Sequence, residues 1–145
     1  MTDLSALTGL EQLALFTSLE EDVPHIGRLL GMEFSEIAYG KAVFEVTTQP
    51  DFSNPMGNVH GGICATLLDS VMGCAVHSTL GAGESYATLE IKVNYTGSVP
   101  TSGKRLTATG TTIHVGGRVA TAEGVVHDED GRLVAHGTTT CLVTR

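Results

Sequence analysis

Cationic side chains are scarce in this sequence: 8 Lys and Arg stand against 16 Asp and Glu, a formal net charge of −8 over 145 residues. Nucleic acid is excluded as a partner, because it needs a basic patch to neutralise phosphates. A small phosphorylated ligand is not excluded, since a few local cations suffice to hold one. Cysteine is equally sparse. Cys64, Cys74 and Cys141 are odd in number and widely spaced, which argues against a disulfide framework or a metal knuckle. No apolar run reaches the length of a membrane span. Met1-Thr2-Asp3-Leu4-Ser5 lacks the basic start and apolar core of a signal peptide. These absences predict a cytoplasmic protein with no membrane association.

Several chemistries lack their motif. There is no Gly-x-Ser-x-Gly elbow, which argues against a serine hydrolase. There is no Gly-x-Gly-x-x-Gly or Walker loop for a dinucleotide or a nucleoside triphosphate. The six histidines form no His-x-x-x-His pair, so no metal site is expected. Asp128-Glu129-Asp130-Gly131 lacks the ligand run of a calcium loop and reads as a hairpin turn.

What remains is an ordinary globular mixture, 41% hydrophobic and 17% charged. A chain this long buries roughly 70% of its surface and needs no covalent staple. No repeat or linker divides it, so residues 1–145 are read as one domain. Its first 30 residues form a helical segment and 31–145 the core.

From about Leu4 to Leu19 the apolar positions recur at helical spacing, and a short second helix runs from near Pro24 to Leu30. Residues 32–37 and 42–48 alternate as strands around a Tyr39-Gly40 turn. A breaker-rich loop over 50–59 leads into an apolar segment from His60 to about Leu80, too long for a strand and apolar almost all round, as a buried helix is. Four strands follow, over 88–95, 104–115, 117–127 and 133–144. In the first of them Leu89, Ile91, Val93 and Tyr95 alternate against Thr88, Glu90, Lys92 and Asn94. An antiparallel sheet wrapped around one long helix is the α+β arrangement called the hotdog fold.

The loop–helix junction carries the chemistry. Asp69 falls inside the apolar helix, where a carboxylate is costly to bury and burial would make it a stronger base. The competing reading puts it on an exposed stripe with Thr66, Ser70 and His77. Gly61-Gly62 opens the helix, where amides lack intrahelical acceptors and the dipole is positive. Such amides suit an oxyanion, although two glycines also simply permit a tight turn. Asn54 and His60 flank the junction, either as site residues or as an Asx-turn and the helix's neighbour. His60 and Cys64 at i, i+4 also have the spacing of a Cys–His nucleophile pair, against the commoner inert buried cysteine.

Asn54-x-x-Gly57-x-x-His60-Gly61-Gly62 with Asp69 nine residues after the histidine resembles the phenylacetic-acid-degradation and 4-hydroxybenzoyl-CoA type of hotdog thioesterase. Residues 87–95 and 128–135 resemble that family's strand after the helix and its last hairpin. The resemblance implies hydrolysis of an acyl-CoA or aryl-CoA to the free acid and CoA, with no cofactor beyond the CoA of the substrate. It implies that Asp69 is general base or nucleophile and that the Gly61 amide polarises the thioester carbonyl. Asn54 would orient the water or thioester, His60 would brace the turn, and Thr88 would help hold water. Gly62, Gly116, Gly117 and Arg118 would contact CoA, with Lys104 and Arg105 as further cations for its phosphates. The loop at Tyr95-Thr96-Gly97-Ser98 departs from the family, whose members often carry Arg-Pro or Ser-Pro there.

Two other functions suit the fold: a non-catalytic acyl-CoA sensor or carrier, and a hydratase pairing an Asp with a His. A buried acid is superfluous in the first, and no Asp-x-x-x-x-His serves the second. Helix geometry adds an expectation about assembly. Gly61 and Asp69 are eight residues apart, roughly 12 Å along one helix, too far to act on one carbonyl. Two antiparallel helices across a two-fold axis solve this, so a homodimer with shared sites is expected, paired again into a tetramer as the resemblance implies.

Overall fold

The computed structural model describes residues 2–18 and 23–145. A single 3₁₀ turn at Leu4–Ala6 precedes helix α1 (Gly9–Ser18) and the short α2 (Ile26–Leu30). One helix was expected from about Leu4 to Leu19; α1 starts only at Gly9, and Leu19 lies outside the described residues. The late start has a local cause. Thr8 and Glu11 form a capping box, in which Thr8 Oγ1 accepts from the Glu11 amide at 3.3 Å and the Glu11 carboxylate accepts from the Thr8 amide at 2.8 Å. α2 ends at Gly31, whose φ of 69° makes the left-handed cap that glycine adopts most readily.

Then follow β1 (Glu33–Ala38), β2 (Lys41–Thr47), α3 (Gly61–His77), β3 (Ser85–Tyr95), β4 (Arg105–Val115), β5 (Val119–Asp128) and β6 (Leu133–Thr144). This is the order read from the sequence. The strands form one antiparallel sheet, β1-β2-β4-β5-β6-β3, against which α3 packs. The architecture is the hotdog fold with an added N-terminal helix.

α3 buries Leu67, Leu68, Val71, Met72, Ala75 and Val76 completely, at the three- and four-residue spacing of one helical face. Each of the larger ones contributes roughly 1.5–3 kcal/mol of transfer free energy. Close approach of α3 to the sheet depends on two cross-strand partners, Gly110 and Gly124. A Cβ on Gly110 would lie 2.4 Å from the Val71 backbone, and one on Gly124 2.9 Å from a Leu68 methyl. Glycine here serves backbone approach rather than a turn.

α1 is tied to the far end of α3. The Gly9 amide donates to the Leu80 carbonyl at 2.9 Å, and His77 Nε2 meets Gln12 Oε1 at 2.9 Å. Burial lowers the His77 pKa, which favours the neutral ring donating from Nε2.

α3 is not apolar all round. Gly62 and Asp69 are exposed and Thr66 and Ser70 only half-buried. The reason is layering: a helix covered by sheet on one side leaves its other side open unless a further element covers it.

β3 lies at one sheet edge and carries a β-bulge. Thr88 pairs with Cys141 and Glu90 with Thr140, leaving Leu89 extra. The bulge reverses the alternation expected for this strand. Thr88 reaches the α3 side, as does Tyr95 beyond the bulge, whereas strict alternation puts them on opposite faces.

Candidate active site

His60 is the N-cap of α3. Its Nδ1 accepts from the Gly62 amide at 2.8 Å, so Gly62 spends its amide on that cap. His60 is not paired with Cys64, which is buried, with its thiol pushed up to about 11 by that burial. A thiol so seldom ionised is a poor nucleophile.

The Gly61 amide is left over. As the first helical residue it has no intrahelical acceptor, and none of the described residues accepts from it. It therefore points a donor, reinforced by the helix dipole, out of the helix start. Its position is fixed by a contact not foreseen from the sequence. The Tyr95 hydroxyl donates to the Gly61 carbonyl at 2.8 Å. A Cβ on residue 61 would lie 3.0 Å from the Tyr95 ring, so glycine is what lets the tyrosine close on the turn. Burial, then the neighbouring Cys64, raises the Tyr95 pKa and keeps the hydroxyl protonated as a donor.

Asn54 holds the preceding loop. Its Oδ1 accepts from the amides of Met56 at 3.0 Å and Asn58 at 3.1 Å, and its carbonyl from Gly57 at 3.0 Å. This is the Asx-turn alternative read from the sequence. Val59 and Asn58 are pinned in turn to Val99 and Pro100, so the loop that follows β3 supports the start of α3.

Asp69 lies two turns along the helix. It is exposed, which corrects the expected burial. It shares the outward face with Thr66 and Ser70, whereas His77 is engaged by Gln12. Asp69 is nonetheless not an idle surface acid. The Thr88 hydroxyl donates to its Oδ1 at 3.1 Å, across 19 residues of chain, because the bulge aims Thr88 at the helix. Asp69 also stands at the rim of a pocket of about 290 Å³ running under α2. Asp69 and Thr88 are thus brought together, while Gly61 stays on the same helix roughly 12 Å away along its axis.

Gly116, Gly117 and Arg118 form the β4–β5 turn. It sits at the end of the sheet where the Gly40 amide bonds Ser78 just after α3, opposite the end where Gly61 lies. The Arg118 carbonyl accepts from Val143 at 2.8 Å, and Val143 pairs with Tyr86, which brings the turn near the Thr88 side of the site. Arg145 donates to the Gly116 and Gly117 carbonyls. Among the described residues, five cations sit in ion pairs with acids: Lys41 with Glu36, Lys104 with Glu129, Arg105 with Glu45 and Glu33, Arg132 with Asp128, and Arg145 with Glu84. Arg118, exposed at the turn, makes no ion pair with the described residues.

Residues 56–135, more than half of the chain, match the family model for the thioesterase superfamily. The chain belongs to that superfamily. This thioesterase is 31% identical to the medium/long-chain acyl-CoA thioesterase YigI of Salmonella typhimurium, over 80% of this chain and 83% of the relative. It superimposes with a TM-score of 0.80 on the phenylacetic acid degradation-related protein of Ralstonia eutropha JMP134, at 27% identity, covering 89% of this chain and 97% of that one. It is also similar to a Streptococcus pneumoniae TIGR4 thioesterase protein solved with coenzyme A, with a TM-score of 0.72 and 28% identity over 78% and 85% of the two chains. The matched region contains Gly61, Asp69, Thr88 and the Gly116–Arg118 turn, so the thioesterase segment and the geometry above coincide. Among the described residues no helix is long and apolar enough to cross a membrane.

Proposed function

We propose that this thioesterase hydrolyses acyl-CoA, with Asp69 as general base and the Gly61 amide as oxyanion donor. The observation that carries the reading is the Thr88–Asp69 bond at the rim of an apolar pocket. Thr88 occupies one carboxylate oxygen and leaves the other to take the proton of an attacking water. Thr88 Oγ1, itself still an acceptor, completes the cradle for that water. The negative charge that forms on the thioester oxygen needs a donor already in place, and a free helix-terminal amide is one. Asn54 and His60 act through the turn that holds this amide.

The donor and the base then come from two copies of the chain. β3 supports the pairing: it is a long edge strand whose outer row of backbone groups has no strand partner among the described residues, and Leu89, Ile91 and Tyr95 are 59%, 37% and 55% exposed along it. Proteins usually blunt such an edge or cover it. Antiparallel pairing of two β3 edges about a two-fold axis covers it, sets two α3 helices antiparallel, and brings Gly61 of one toward Asp69 of the other. A second pairing makes the tetramer implied by the family resemblance.

The direct test is release of free thiol from aliphatic and aromatic CoA esters by the purified protein. Steady turnover of at least one ester is expected, and binding without any thiol release would show a sensor or carrier instead. A second expectation concerns the nucleotide end of CoA. Lys104 and Arg105 are already neutralised by acids, which favours Arg118 for a phosphate. Arg118→Ala should weaken CoA severalfold with a shallower salt dependence, the modest effect of one exposed charge. Titration at two salt concentrations checks this, and unchanged affinity removes Arg118 from the site.

A further inference from the structure

The pocket at Asp69 is more specific than thioester hydrolysis requires. It lies over the outward face of α3, and its apolar wall comes from Ile26, Met32, Phe34, Phe44, Cys74 and Tyr86. Phe34 and Phe44 meet edge to face, with ring centroids 4.4 Å apart, which fixes one side wall. Cys74 is one turn beyond Ser70 on the same face. Its thiol is pushed up to about 12, chiefly by burial and then by the Asp69 charge, so it serves as an inert apolar wall. Tyr86 closes the α3 side, packed so near Gly73 that a Cβ there would lie 2.5 Å from its hydroxyl. At the other end His25 and Ile26 belong both to this pocket and to a surface groove that includes Pro24 and Leu29. Ile26 and Leu29 are 52% and 73% exposed there.

We propose that this pocket is the acyl-chain site, that it takes a linear aliphatic chain of about eight to ten carbons, and that Cys74 and Phe34 set the preferred length. The proposal rests on the thioesterase reading and deepens it. At the ~30 Å³ that a water-sized heavy atom takes up in a liquid, about 290 Å³ accommodates roughly ten such atoms. An aromatic acyl group leaves part of that space unfilled, whereas a medium aliphatic chain fills it. Among the described residues the wall offers no charged partner for a polar acyl group beyond the acids Asp69 and Glu33 and the ring of His25. Because the far end abuts the groove at α2, longer chains emerge over Ile26 rather than meeting a floor.

The test is a series of saturated acyl-CoAs from acetyl to hexadecanoyl, with benzoyl-CoA and phenylacetyl-CoA beside them. For the wild type, kcat/KM should rise by about fourfold per methylene, the value of one buried CH₂, up to about ten carbons, and then level off. Cys74→Phe fills the pocket and should cut the decanoyl-to-butanoyl ratio by on the order of 10². Phe34→Ala widens it and should flatten the rise. A second readout does not depend on turnover: calorimetric titration of Asp69→Asn with CoA and with decanoyl-CoA. Decanoyl-CoA should bind much the tighter, and adding Cys74→Phe should remove most of the difference. If no ester is hydrolysed but decanoyl-CoA still binds through Cys74, the catalytic reading fails and the pocket assignment stands. If esters are hydrolysed without regard to chain length, or the aryl esters are preferred, or Cys74→Phe changes neither readout, the pocket assignment is overturned.

Discussion

Replacing Asp69 by Asn will lower kcat by roughly 10²–10⁴, the usual contribution of a positioned base, and leave the fold intact. The second half follows from exposure. Asp69 contributes nothing to the core, and among the described residues its hydrogen-bond partner is the Thr88 hydroxyl, to which an asparagine oxygen is an equally good acceptor. Thermal melting should therefore be nearly unchanged while turnover collapses, a combination that separates a site residue from a structural one. KM should change little, because the pocket wall and the Gly61 amide remain. Cys64→Ala is the control: its thiol is buried and held up at about 11, so turnover should survive its removal. Near-wild-type activity in Asp69→Asn shows that Asp69 is not the base. A comparable loss in Cys64→Ala moves the chemistry to the cysteine.

The role of Asp69 shows how far the sequence is legible and where it stops. Element order was readable because each element carries its own pattern: period two for the strands, and for α3 an apolar run too long for a strand, with breakers at Gly31, Tyr39-Gly40 and 128–131. The junction at His60-Gly61-Gly62 was readable for a similar reason, since capping is local and the partners are two or three residues apart. The environment of Asp69 was not. A run of apolar residues around one acid looks buried in a linear sequence, yet in the fold the sheet covers only one side of α3 and the acid takes the other.

The Thr88–Asp69 pair was hidden by the bulge. Strict alternation through β3 puts Thr88 on the face opposite Tyr95, and one extra residue at Leu89 brings both to the helix. Nothing in Ala87-Thr88-Leu89-Glu90 marks a bulge, for it holds neither glycine nor proline. Thr88 was reached through family resemblance alone. Tyr95 was missed as a partner of Gly61 because the contact spans 34 residues, and such distances are set by packing. The start of α1 was misjudged for the opposite reason: Thr8-x-x-Glu11 is a readable capping box, and apolar spacing from Leu4 onward masked it. The pocket wall, drawn from α2, β1, β2, α3 and β3, has no sequence signature at all.

Two inactive variants, mixed, will recover on the order of a quarter of wild-type activity if the site is shared between chains. Gly61→Pro removes the amide donor, and Asp69→Asn removes the base. Proline suits the first helical position, and His60 before it has φ −60° and ψ 137°, the extended conformation that a following proline demands. The ring does crowd Tyr95, since even a Cβ at residue 61 lies 3.0 Å from it. Gly61→Ala brings the same Cβ but keeps the N–H, so the difference between the alanine and proline variants reads the amide alone. When the two variants are unfolded together and refolded, random pairing makes half the dimers mixed. In a mixed dimer one composite site takes both lesions and the other takes none, so about a quarter of all sites are whole. If donor and base instead belonged to the same chain, every site in the mixture would carry a lesion and no activity would return. Tagging each variant separately and isolating the doubly tagged species keeps the result decisive. An inactive, folded heterodimer rules out the shared site, whereas activity confined to the doubly tagged fraction places the Gly61 donor and the Asp69 base on opposite subunits.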